Sequence, residues 1–135
     1  MDVTVEQRAD AWIELYKLGP GLAAEELVDR GFQLNHDAYD NPSFAWRAIT
    51  EIVCRFEEDA LFTDGETDAK RVLANLGAGP LECLLAQHGP EFIEAVEAEA
   101  RRDRRFFWTL GCVWQNAASD DIWARVQAAT GRFSP

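Results

Sequence analysis

The stretch Leu76-Gly77-Ala78-Gly79-Pro80-Leu81-Glu82-Cys83-Leu84-Leu85-Ala86-Gln87-His88-Gly89-Pro90 places two Gly-Pro steps ten residues apart around one short apolar segment. Glycine readily takes the left-handed position that follows a helix, and proline is pre-set for the first position of the next. The pattern predicts that the chain stops at Gly77 and Gly79 and restarts at Pro80. A short helix would then present Leu81, Leu84 and Leu85 before a second turn at Gly89. Upstream, Asp64-Gly65 is a turn signal, and Thr67 or Asp64 can cap a helix carrying Val72, Leu73 and Leu76. Downstream, Pro90 opens a helix with Phe92, Ile93, Val96 and Ala100 inward. Glu91 and Glu94 lie in its first turn and Arg101 and Arg102 in its last, as the helix dipole favours.

The rest of the chain reads the same way. Thr4 and Gln7 make a capping box ahead of the stripe Val5, Ala9, Trp12, Ile13 and Tyr16, which Gly19-Pro20-Gly21 ends. A shorter helix with Leu22, Leu27 and Val28 inward is expected to stop at Gly31. Periodicity is lost from Phe32 to Asn41, which reads as a loop. His36, Asp37 and Asp40 could be imagined there around a metal, but no second cluster has zinc-type spacing, so a solvated loop is the better reading. Asn41-Pro42 restarts the chain into the cleanest amphipathic pattern, Phe44, Ala45, Ala48, Ile49, Ile52, Val53 and Phe56. Trp46 falls off that stripe and is read as covering a neighbouring helix. Asp103 caps a helix with the stripe Phe106, Phe107, Leu110, Val113, Trp114 and Ala117, with Gly111 marking a close crossing. Ser119 caps a last helix, with Ile122, Trp123 and Val126 inward and Gly131 at its end. No stretch alternates as a strand would. The expectation is an all-α fold in a single helical domain over residues 1–135. It would be a compact bundle of about seven or eight short helices, for which HEAT-like stacked pairs are one arrangement.

Composition narrows the class. A hydrophobic fraction of 47% with 11% aromatics argues against disorder. No apolar run approaches the roughly 18 residues of a membrane span. Met1-Asp2-Val3-Thr4 lacks the basic and apolar regions of a secretory signal, and Cys54, Cys83 and Cys112 sit among apolar neighbours as buried reduced thiols would, so a cytoplasmic location is expected. Their equal spacing fits a repeat or coincidence equally well. The net charge of −11 is unevenly placed. Residues 1–66 hold 15 acids and 5 bases, net −10, whereas residues 67–135 are nearly neutral at −1. That imbalance disfavours direct nucleic-acid binding and suits either a basic partner or a merely solvated surface.

One set of residues carries a resemblance. Asn41-Pro42 with Ala45-Trp46 is followed by Leu73-Ala74-Asn75-Leu76-Gly77-Ala78-Gly79-Pro80-Leu81-Glu82. Beyond these come Leu84-Leu85, His88-Gly89, Phe92-Ile93, Glu97, Ala100, Asp103, Val113-Trp114 and Val126. From Asn41 to Ala129 the chain resembles a family of small bacterial all-helical domains of unknown function. The resemblance implies a compact helical protein and supplies no activity. Arg104-Arg105 stands where the family pattern would have a proline, so a helix continuing through Asp103 is left open.

Enzyme motifs are missing: no His-Glu-x-x-His, phosphate loop, nucleophile elbow or Cys-x-x-Cys occurs. Glu82 and His88 lie six residues apart, on different faces of a helix, and Glu82 is better placed to cap amides freed around Gly79. The expected function is non-enzymatic, without cofactor or metal. It is that of a protein-binding module, an acidic inhibitor or immunity-type protein that blocks a basic nucleic-acid-processing partner as a nucleic-acid mimic. Its partner-binding carboxylates would be Glu14, Glu25, Glu26, Asp29, Asp37, Asp40, Glu51, Glu57, Glu58 and Asp59. The alternative is a small enzyme or ligand-binding domain with a site near the Gly79-Pro80 turn and His88. The cluster Arg101, Arg102, Arg104 and Arg105 could pair with the acidic half of a second copy, giving a salt-sensitive homodimer in place of a monomer.

Overall fold

A computed structural model describes residues 2–131, and every regular element among them is helical. The order is α1 (Val5–Leu18), α2 (Glu25–Asp40), α3 (Pro42–Cys54), a 3-10 turn (Glu58–Ala60), α4 (Asp68–Leu76), a π-helical turn (Gly77–Leu81), α5 (Glu82–Arg102), α6 (Arg104–Leu110) and α7 (Asp120–Ala129). Packing of α1 on α2, α3 and α4, of α3 on α6, and of α5 on α7 closes these into a bundle. A solenoid would instead stack them strictly in sequence.

Several starts and stops fall where the sequence puts them. The Thr4 hydroxyl accepts from the Gln7 amide at 3.1 Å while the Thr4 amide donates to Gln7 Oε1 at 2.9 Å. Thr67, Asp103 and Ser119 cap α4, α6 and α7 through their side chains. Pro42 takes the first turn of α3, and the left-handed Gly19 ends α1. Trp46 packs between Phe92 and Phe106, with ring centroids at 6.1 and 5.6 Å.

The region read as a short helix and loop is instead one helix. α2 runs through Gly31 to Asp40, with Leu27, Gly31, Leu34 and Ala38 buried. That is an apolar seam at heptad spacing in which one position is a glycine. A Cβ on Gly31 would lie 2.5 Å from Leu15 Cδ2, so the residue read as a stop lets α1 and α2 approach. Leu22, read as inward, is exposed in the α1–α2 turn.

The Gly-Pro stretch also departs from expectation. The chain does not turn at Gly79-Pro80; α4 continues into α5 through the π-helical turn, where the Glu82 amide reaches back to the Gly77 carbonyl. Widening the helix there accommodates a proline that has no N–H to offer and whose ring crowds the preceding turn. The second step survives as a kink, with His88 at φ −134° and ψ 29°. A Cβ on Gly77 would sit 2.3 Å from the Thr109 carbonyl oxygen, so the close crossing expected at Gly111 occurs here, between the π turn and α6. Gly111 itself ends α6, which is shorter than its apolar stripe. Phe107 and Trp114 of that stripe are exposed, Ala117 lies in the loop before α7, and only Val113 continues the core. Cys54 is exposed and Cys83 and Cys112 are half-buried, so none is a core thiol; they stand in α3, α5 and the 111–119 loop and mark no repeat.

Candidate functional site

The ten carboxylates separate once the helices are folded. Glu14 is exposed on α1, Glu25, Glu26 and Asp29 on the first turns of α2, Asp40 at its end, and Glu57, Glu58 and Asp59 in and before the 3-10 turn. Asp37 does not belong with them. It is buried on α2, and its Oδ2 accepts from Arg8 Nε at 2.7 Å, with side-chain exposures of 12% and 13%. The sequence hides this because the partners are 29 residues apart and Asp37 falls where helical periodicity is lost. The pair joins α1 to α2, and the Arg8 guanidinium lies over the Phe44 ring at 5.7 Å.

Other members are neutralised within the chain. Glu51 accepts from Arg55 Nε at 2.6 Å, and the same guanidinium reaches Asp10 at 2.9 Å. Glu26 faces Arg30 at 3.7 Å, and Glu58 pairs with Arg104 at 2.6 Å. Glu14, Glu25, Asp29, Asp40, Glu57 and Asp59 have no ion pair among the described residues.

The arginine cluster packs against the C-terminal end of α3 and the acids that follow it. Arg105 donates to the Phe56 carbonyl at 3.1 Å and the Cys54 carbonyl at 3.4 Å, and it also bonds Asp103. The Asp103 bond is the largest influence holding its guanidinium protonated, and Glu57 adds to it. Arg102 pairs with Glu99, and Arg104 lies 4.2 Å over the Phe62 ring. Three of the four arginines expected to meet a second copy are thus engaged by their own chain.

The alternative site also takes a different form. Glu82 does not cap amides near Gly79. It is buried, accepts from the Trp114 amide at 2.9 Å and from Asn116 Nδ2 at 2.6 Å, and so fastens the 111–119 loop to α5. Asn116 holds a left-handed φ of 45° in that loop. His88 Nε2 lies 3.0 Å from the Tyr39 carbonyl, which can only accept, so the ring nitrogen is the donor. Beside them a crevice of about 170 Å³ is lined by Tyr39, Glu82, Cys83, Ala86, Gln87, Asn116 and Ala117. Burial pushes the Cys83 thiol up, only partly offset by its hydrogen bond to Tyr39, so the neutral thiol prevails. The crevice is smaller than typical ligand pockets of about 300–1,000 Å³, and its carboxylate is already spoken for. No group of three or more His, Cys, Asp or Glu side chains among the described residues could hold a metal ion, and no helix among them is long and apolar enough to cross a membrane.

Two leucines that the apolar pattern does not mark as exposed face solvent. Leu18 is 50% and Leu22 80% exposed, at the α1–α2 turn between Glu14 and Glu25. The signal available was Gly19-Pro20-Gly21, a turn that swings Leu22 off the helical stripe.

The model of the family described as "Family of unknown function (DUF6869)" matches residues 25–133. No curated protein and no solved structure matches the chain.

Proposed function

We propose, for a chain that belongs to this family of unknown function, that it is a non-catalytic protein-binding module whose acidic N-terminal half engages a basic partner. The carrying observation is the exposed Leu18–Leu22 tip flanked by Glu14, Glu25 and Asp29, which have no ion pair among the described residues. Exposed apolar side chains beside carboxylates, here with Lys17 among them, are what a specific protein interface offers, the leucines supplying burial and the acids orientation and encounter rate. A basic nucleic-acid-processing protein fits that chemistry, and the carboxylates would take the place of phosphates. The enzyme reading has less behind it, because Glu82, Cys83 and His88 are each committed to bonds that hold the fold.

The test is affinity capture from cell lysate with wild type and the triple variant E25K/E26K/D29K as baits, washed at low and moderate salt. The expected result is a basic protein retained by wild type, released by salt and lost with the variant. Capture that ignores the three reversals would refute the reading.

A further inference from the structure

Three carboxylates are buried among the described residues, and two of them face an arginine, Asp37 with Arg8 and Asp103 with Arg105. Glu82, only 9% exposed, enters no ion pair among those residues. Both of its bonds come from neutral donors, the Trp114 amide and Asn116 Nδ2. Each oxygen therefore keeps a lone pair, and the charge itself has no counter-charge, which burial makes costly. The crevice of about 170 Å³ opens beside this carboxylate, and none of its lining residues is basic. The Glu82 charge reaches into that lining, where it adds to burial in keeping the Cys83 thiol protonated.

Local charge and size select the occupant. An anion would meet Glu82 with no cation in the lining to offset it. A metal ion needs several ligands, and no group of three His, Cys, Asp or Glu among the described residues could hold one. A guanidinium reaches a carboxylate as a planar fork, but each Glu82 oxygen already holds one bond. An alkylammonium asks for less. It is a compact charge with three rotatable donors, for which Glu82 keeps open lone pairs and Asn116 and Tyr39 offer further oxygens. Ala86 and Ala117 keep the remaining wall small, and the volume holds about five or six water-sized groups, the size of an amine with a few methylenes. We propose that this crevice binds a primary alkylammonium group, the side chain of a partner's lysine or a free small amine, with Glu82 as its counter-charge. It lies at the opposite end of α2 from the Leu18–Leu22 tip and does not depend on the acidic half being an interface.

The probe is n-butylammonium chloride, titrated into the full chain at physiological ionic strength and followed by backbone-amide shifts in NMR. Saturable shifts centred on Cys83, Trp114 and Asn116 are expected, with a Kd of about 1 mM for so small a ligand. 1-Butanol, similar in shape but uncharged, should bind about tenfold more weakly. Ala86→Met and Ala117→Met fill the crevice from α5 and from the 111–119 loop. Each should weaken butylammonium binding about tenfold while the Trp114 amide keeps its hydrogen-exchange protection, which separates blockage from loss of the Glu82 clamp. Equal binding of butanol, or undiminished binding by both methionine variants, would overturn the assignment. So would the lack of a saturable shift up to about 100 mM. Shifts centred on Glu25–Asp29 or Glu57–Asp59 would overturn it as surface ion pairing only. A capped Gly-Lys-Gly peptide distinguishes the sources. Binding as tight as that of butylammonium assigns the crevice to a partner's lysine, and butylammonium binding without peptide binding assigns it to a free amine. None of these results bears on capture by the acidic half, so the two readings fail separately.

Discussion

Gly77→Ala should destabilise this protein although alanine is the better helix former. Gly77 has helical φ and ψ of −64° and −47°, so the substitution gains up to about 1 kcal/mol in intrinsic propensity. Against that, the new Cβ would stand 2.3 Å from the Thr109 carbonyl oxygen and 3.0 Å from Cys112 Cβ, whereas ordinary contact begins at 3.4 Å. The obstacle is backbone, which cannot swing aside as a side chain can. The end of α6 must withdraw by about 1 Å, loosening the packing of Phe106 and Leu110 in a dense core. Overpacking of this kind costs about 1–3 kcal/mol, more where rigid elements must part, so a net loss of about 2 kcal/mol is expected. For a chain of this length that lowers Tm by about 6–10 °C. Urea unfolding followed by circular dichroism measures it, with Gly21→Ala as the control, because a Cβ there meets nothing within 4 Å. A Gly77→Ala protein as stable as wild type, or more so, would refute the close crossing of the π turn and α6.

Three further outcomes can be checked. Asp37→Ala should cost about 1–3 kcal/mol in urea unfolding by leaving the half-buried Arg8 guanidinium without its partner, and Arg8→Met/Asp37→Leu should recover most of it; no effect of the single variant would mean the pair is solvated. Glu82→Ala removes the acceptor of the Trp114 amide, so that amide should lose hydrogen-exchange protection while the amides of α1 keep theirs; unchanged protection at Trp114 would count against the clamp. Asp103 and Glu97 are held below the ordinary carboxylate range, in each case first by a hydrogen bond from arginine, Arg105 and Arg125. A depressed folded pKa contributes stability that is present above the unfolded value and lost as pH falls toward the folded one. Stability should therefore be level near neutral pH and fall in the acid range below ordinary carboxylate values. Asp103→Asn should flatten that slope, and an unchanged slope would contradict the pairing.

The sequence by itself determined the helical class, the caps at Thr4 and Ser119, and the inward faces of α1, α3 and α5; it offered Thr67 and Asp103 as caps beside alternatives that the fold removes. These depend on short-range chemistry: a hydroxyl or carboxylate two or three residues from the amide it satisfies, and apolar side chains at helical spacing. Tertiary structure alone decided what Gly31, Gly77 and Gly79-Pro80 do. A glycine that ends an apolar stripe or stands by a proline is locally a stop, but in this fold a neighbouring helix needs the space a Cβ would fill, and packing outweighs the local preference. The same holds for charge. The imbalance toward residues 1–66 was legible from counting. Which carboxylates are free was not, because Asp37, Glu58 and Asp10 meet arginines 29 to 46 positions away. Glu82, too, was legible as a carboxylate looking for amides, yet the amide it found lies 32 residues downstream. Ion pairs and buried carboxylates are satisfied through space, and the sequence orders residues only along the chain.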